Sequence, residues 1–166
     1  MSASTEPSTR LSWDEFFISQ SRVMAMRSTC PRLAVGCVIV RDKRIIASGY
    51  NGSISGDVHC TDVGCKMVDG HCVRAIHAEQ NALLQCARFG IECAGADLYV
   101  THRPCLACTK SIIQAGIARV FFETEYRPDE YAAHLLAYAN IPVRQITSRM
   151  EQLISHRPGP VPHRIE

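Results

Sequence analysis

His77-Ala78-Glu79 and, 25 residues beyond Glu79, Pro104-Cys105-Leu106-Ala107-Cys108 set one imidazole, two thiols and one carboxylate at spacings that suit a metal centre. One His and two Cys can hold zinc through three protein ligands and leave a fourth position for water. That open position separates a catalytic zinc from a closed structural one. Cys105 and Cys108, three apart at the start of a helix, present their sulfurs on one face. The positive end of the same helix favours the thiolates that bind metal. Zinc brings the pKa of a bound water down to about 7. Glu79, two residues past the His and outside the ligand set, is placed to carry that water's proton. A solvent-exposed His and two unrelated buried thiols would explain these residues singly, but not the four together.

Elements that could position these groups are legible along the chain. Ser12 followed by Glu15 is a capping box, opening a helix whose apolar positions include Phe16, Phe17, Val23, Met24 and Met26 and which Pro31 closes. Val35–Val40 and Lys43–Gly49 read as strands of a hairpin joined by a tight Arg41-Asp42 turn. Gly49-Tyr50-Asn51-Gly52 breaks the second strand and opens a long loop to Val73, rich in Gly, Asp, His and Cys. Loops of that length in a small domain are usually functional. A helix follows over Ala78–Phe89, stopped by Gly90, then a strand at Leu98–Thr101. Pro104 suits the first turn of the next helix, which ends at Gly116. Arg119–Glu123 is a fourth strand, 128–138 a helix and Ile141–Ile146 a fifth strand. Strands alternating with helices after an initial hairpin predict an α/β fold: a three-layer α/β/α sandwich on a mixed five-stranded sheet. Residues 11–155 form the single expected domain, between flexible tails at 1–10 and 156–166.

At 166 residues the chain suits one domain with a core of its own. Its net charge of +2 and single Trp argue against a nucleic-acid binder. Arg outnumbers Lys fifteen to three, which favours a phosphorylated small ligand. No apolar run reaches the ~18 residues of a membrane span, and the polar start lacks a signal peptide's apolar stretch. The nine Cys, an odd number, are therefore expected as metal ligands or buried thiols in a reducing, cytoplasmic setting.

The combined H-x-E…P-C-x-x-C pattern is the signature of zinc-dependent nucleobase deaminases. On a cytosine ring, hydroxide would add at C4 while Glu79 moves a proton to N3 and then to the exocyclic amine, which leaves as ammonia. Ser28-Thr29-Cys30-Pro31-Arg32, Val35-Gly36, Gly49-Tyr50-Asn51-Gly52, His77 through Ala82, Tyr99-Val100-Thr101, Pro104-Cys105 and Ile112 through Ile117 extend the likeness over more than half the chain. These pieces resemble the deoxycytidylate (dCMP) deaminases, and most nearly the deaminase-like proteins of bacterial late-competence operons. The resemblance implies conversion of dCMP to dUMP for thymidylate synthesis, a cytidine deaminase-like fold, and a homo-oligomer often described as hexameric. It also implies activation by dCTP and inhibition by dTTP, with no membrane or nucleic-acid partner. It further implies that Asn51 contacts the sugar or base, that Asn81 orders the helix beside the site as a substrate-side residue, and that Tyr126 closes over the phosphate. Asn51 suits a left-handed turn position equally well, and Tyr126 a packing role at the sheet edge. Arg88 and Arg103 are secondary phosphate candidates.

Cys30, Cys60, Cys65 and Cys72 lie outside the catalytic motif, with His59 and His71 beside two of them. A polar loop of this length has little apolar surface to order itself, and a closed four-ligand zinc would supply that order. We expect a second, structural zinc on the four Cys in preference to a set using His71 or His59. Some dCMP deaminases carry such an extra zinc. Two other readings fit the catalytic motif: a tRNA adenosine deaminase, which shares His-Ala-Glu and Pro-Cys-x-x-Cys, and a non-catalytic, zinc-stabilised competence-related interaction module. Retention of Glu79 counts against the second, because a structural site needs no proton carrier.

Overall fold

Ser12 caps the first helix as its spacing to Glu15 predicts. The Glu15 N–H donates to Ser12 Oγ at 3.2 Å and the Ser12 N–H returns to the Glu15 carboxylate at 2.8 Å. This computed structural model describes residues 10–155, so the expected tails, Arg10 apart, lie outside the described residues. In chain order α1 (Trp13–Ala25) leads to β1 (Gly36–Arg41) and β2 (Arg44–Tyr50). An insert follows, made of β3 (Gly52–Ser53), α2 (Cys60–Val63), β4 (Met67–Val68), β5 (His71–Cys72) and β6 (Ala75–Ile76). The chain continues with α3 (Ala78–Phe89), β7 (Asp97–His102), α4 (Leu106–Gln114), β8 (Arg119–Thr124), α5 (Glu130–Tyr138), β9 (Val143–Gln145) and α6 (Met150–Ser155).

The main sheet has the order β2-β1-β7-β8-β9. β1 is antiparallel to β2 and β7, whereas β7, β8 and β9 run parallel. The parallel pairs are those joined by helical crossovers, α4 and α5. Alternate residues of the central strands bury opposite faces. Val38, Val40, Tyr99 and Phe121 meet Phe17 and Ile18 of α1, with the Tyr99 and Phe121 rings stacked at 4.5 Å. Cys37, Ile39, Leu98, Val100, Val120 and Phe122 meet Ala78, Ala82, Ile112 and Leu136 of α3, α4 and α5. Burial on both faces explains why these strands read as near-continuous apolar runs. The expected three-layer sandwich on a mixed five-stranded sheet is therefore present.

Several boundaries differ from the sequence reading. The hairpin turn is Asp42-Lys43, one residue later than expected, with both residues left-handed at φ 49° and 59°. Two adjacent positive φ values give the turn that matches strand twist. Pro104 lies outside α4, whose N-cap is Cys105. The long loop is not a loop. β3 pairs with β6 at its base, and β4 with β5 in a small hairpin turned by Asp69-Gly70. α6 was not anticipated. The ion pair of Arg149 with Glu15 at 2.6 Å ties the residues just before α6 to α1 and holds the Glu15 carboxyl down at about 2.

Gly49 does not break β2 but lies within it, against the first turn of α3. A Cβ there would sit 2.3 Å from the Ala78 carbonyl oxygen and 2.6 Å from the Ala82 nitrogen. These are backbone atoms, which cannot swing aside. Gly49→Ala should therefore cost about 1–3 kcal/mol and, by displacing the turn that carries His77 and Glu79, weaken metal binding. Thermal melts combined with a zinc titration check both effects.

Candidate active site

Two helix starts converge on the site. His77 is the N-cap residue of α3 and Cys105 that of α4, both with extended backbone, while Cys108 is buried one turn into α4. His77 Nδ1 lies 3.5 Å from Cys105 Sγ and 3.3 Å from Cys108 Sγ, and the three ligand atoms all fall within 4.8 Å of one another. With zinc–sulfur and zinc–nitrogen bonds of about 2.3 and 2.05 Å, a tetrahedral site has N···S edges of roughly 3.55 Å. The residues present therefore fit zinc through Nδ1. The hydrogen bond from the Cys108 thiol, followed by that from His77, holds the Cys105 thiol down at about 3, so a thiolate is ready for metal. The His77 ring is shifted upward, chiefly by Cys105.

Glu79, two residues into α3, is 4% exposed. Burial pushes its carboxyl above the ordinary range, despite the opposing pull of His77. A carboxylate raised this way accepts and releases protons nearer neutrality, as a general acid–base must.

These groups open on a cavity of about 290 Å³ bordered by Asn51, His77, Glu79, His102, Tyr126 and Asp129, among others. Asn51 reaches the cavity but is largely committed to scaffolding. Its Oδ1 accepts from Ser28 Oγ at 2.7 Å and the Val35 N–H at 2.8 Å, and its Nδ2 donates to the Leu33 carbonyl at 2.8 Å. One N–H remains for a substrate. Asn81 does not border the cavity. Its amide donates to the Tyr50 carbonyl at 3.0 Å, bracing α3 on β2. Tyr126 stands at the rim, edge-on to His102 and beneath the Arg127 guanidinium. Arg103 is on the cavity wall, but its guanidinium is paired with Glu125 at 2.7 Å. Arg88 is exposed on α3 over the Phe89 ring, away from the cavity lining.

Cavity residues to which the sequence assigns no site role include Arg32, His102 and Arg127. Each sits one position or a few from a residue that was, so motif adjacency was the available signal. Among the described residues neither Arg32 nor Arg127 forms an ion pair.

Cys60, Cys65 and Cys72 form a second cluster within 4.8 Å, with Cys60 Sγ 3.7 Å from Cys72 Sγ. Cys30, His59 and His71 do not join it at that distance. Cys30 belongs to a separate segment, where its N–H donates to Ser28 Oγ. Cys30 and His71 do border the active-site cavity beside Cys72.

An acid–base carboxylate beside a three-ligand metal centre, open to a cavity, is the working arrangement of the zinc-dependent nucleobase deaminases. Residues 11–124 match the cytidine and deoxycytidylate deaminase zinc-binding region, and the chain belongs to that family of hydrolytic deaminases, with zinc as its cofactor. It is 57% identical over 137 residues to ComE operon protein 2 of Bacillus subtilis, covering 82% of this chain and 72% of that protein. It is 40% identical over 154 residues to deoxycytidylate deaminase of Saccharomyces cerevisiae, covering 89% of this chain and 49% of the yeast protein. The chain thus spans about half the length of that relative. Among solved structures, dCMP deaminase of cyanophage S-TIM5 in complex with dCMP and dUMP superposes with a TM-score of 0.71 at 33% identity, covering 80% of this chain and 95% of that one. The likeness to dCMP deaminases and to the late-competence proteins is thereby borne out. Among the described residues no helix is long and apolar enough to cross a membrane.

Proposed function

We propose that this chain hydrolyses dCMP to dUMP and ammonia, with His77, Cys105 and Cys108 holding the catalytic zinc. The observation that carries this reading is the buried Glu79 carboxyl opening on the same cavity as the zinc ligands His77 and Cys105. Zinc held there would supply a water acidified to about neutrality. Glu79 accepts the proton that this water gives up and passes it to N3 of the pyrimidine. It then carries the remaining proton of the hydroxyl on C4 to the exocyclic nitrogen, which departs as ammonia while that oxygen stays on C4 as the carbonyl. The raised Glu79 pKa serves both transfers, since the group must release what it has just accepted. The product dUMP would serve thymidylate synthesis.

The nucleotide rather than the nucleoside is the proposed substrate because Arg32 and Arg127 border the cavity without a carboxylate partner among the described residues. A charge-assisted hydrogen bond contributes about 1.5–3 kcal/mol, so kcat/KM for dCMP should exceed that for deoxycytidine by roughly 10–100-fold. Equal values would make the chain a nucleoside deaminase. Activity on an anticodon stem-loop and none on dCMP would make it an RNA-editing enzyme.

We also propose a second, structural zinc in the insert. A tetrahedral zinc with sulfur ligands has S···S edges of about 3.75 Å, and the Cys60–Cys72 separation is 3.7 Å. Burial raises Cys72, but the backbone N–H groups of Arg74 and Ala75 outweigh it and hold the thiol down at about 7. The insert thus contains a thiol that ionises readily for a metal. Cys60, Cys65 and Cys72 supply three ligands, and the fourth position falls to Cys30 or His71 at the cavity edge, with Cys30 preferred for zinc's affinity for thiolate.

A further inference from the structure

We propose that His102 is a specificity-determining residue of the cavity, a neutral Nε2–H donor aimed at an oxygen of the substrate's 5′-phosphate. The proposal rests on the dCMP reading above. His102 ends β7, three residues before the ligand Cys105, and borders the cavity.

A hydrogen-bond relay fixes its tautomer. The Gly36 N–H donates to Thr101 Oγ1 at 3.2 Å, and Thr101 Oγ1 lies 2.9 Å from His102 Nδ1. Thr101 is buried at 5% exposure, so its hydroxyl hydrogen needs an acceptor. Among the described residues Nδ1 of His102 is the acceptor within reach. Nδ1 therefore accepts, and the ring proton sits on Nε2. Burial holds the ring below its ordinary pKa, which favours that neutral form.

The donor then lacks a protein partner. Among the described residues no hydrogen bond engages the His102 ring beyond the one at Nδ1. Its surroundings indicate which ligand group completes it. The ring packs edge-on to Tyr126 at 5.9 Å, and Tyr126 carries the Arg127 guanidinium 5.4 Å from its ring centre. Of the neighbouring carboxylates, Glu125 is paired with Arg103 and Glu123 with Arg22, while Asp129 caps α5 through one oxygen, accepting from the Ala132 N–H. That side of the cavity thus combines a neutral donor with a guanidinium lacking an ion pair. A phosphate monoester, rich in acceptor oxygens and unable to donate when ionised, suits both.

The test compares His102→Phe, which keeps a ring against Tyr126 but removes the donor, with His102→Gln, whose amide N–H reaches the Nε2 position. In the zinc-loaded protein His102→Phe should lower kcat/KM for dCMP about 10–100-fold, through KM rather than kcat. The same variant should change kcat/KM for deoxycytidine less than about threefold, and His102→Gln should restore most of the loss. Calorimetric dUMP affinity should follow KM, and nitrogen-15 spectra of the wild type should give the Nε2–H tautomer. An equal fall with both substrates, no fall with dCMP, or an Nδ1–H tautomer would each overturn the assignment. Wild-type protein that prefers deoxycytidine would instead defeat the underlying nucleotide reading, before any variant is made.

Discussion

Glu79→Gln should fold, keep its catalytic zinc and lose about 10²–10⁴-fold in turnover of dCMP. Glutamine matches the carboxylate in shape, so the pocket that holds Glu79 at 4% exposure is not emptied. The metal should stay because the group able to hold it is His77, Cys105 and Cys108, without Glu79. The amide cannot accept the proton that the water surrenders, so addition at C4 and departure of ammonia both lose their carrier. The substitution also removes a buried ionisable group whose charge burial disfavours, so the variant should melt no lower than wild type. Elemental analysis, a melt and steady-state kinetics on one preparation check all three. Turnover within a few-fold of wild type would remove Glu79 from the mechanism.

Cys60→Ala should reduce zinc from two per chain to one and loosen the insert while leaving the main sheet folded. Between Ser53 and Ile76 Cys60 is the one buried residue, whereas Ile54, Val58, Val63, Val68 and Val73 are exposed. Two-residue strand pairs and a four-residue helix cannot hold such a segment unaided. Metal ligation is what can take the place of a core here. Amide exchange in the insert should rise to near unprotected rates, and KM for dCMP should rise, because Gly70, His71 and Cys72 border the cavity. Zinc analysis of Cys30→Ala beside His71→Ala identifies the fourth ligand. One zinc per chain in metal-replete wild type would end the proposal.

The central sheet and metal motif were legible because each has a strong local signal. Cys37 to Val40, Leu98 to Val100 and Val120 to Phe122 are apolar on both faces, so no register choice hides them. Ser12 with Glu15 and the His77 and Cys105 helix starts are fixed by chemistry within four residues. The insert reads as a loop in the sequence because its two-residue strands are too short to show a period of two. The Asp69-Gly70 turn was nevertheless a hairpin signal present in the sequence. Asn81 was placed on the substrate side through its motif neighbours, yet its contact is to the Tyr50 carbonyl, set by how β2 meets α3. Arg103 looked available for phosphate until folding brought Glu125 beside it, 22 residues away along the chain. Pairings of that kind depend on the β7–β8 register, which a local reading cannot supply.

The central claim is tested most directly by incubating zinc-replete protein with dCMP and quantifying dUMP and ammonia together. One ammonia per dUMP is predicted, with the yield lost in Glu79→Gln at unchanged zinc content. No dUMP from dCMP, in protein shown to carry zinc on His77, Cys105 and Cys108, would contradict it.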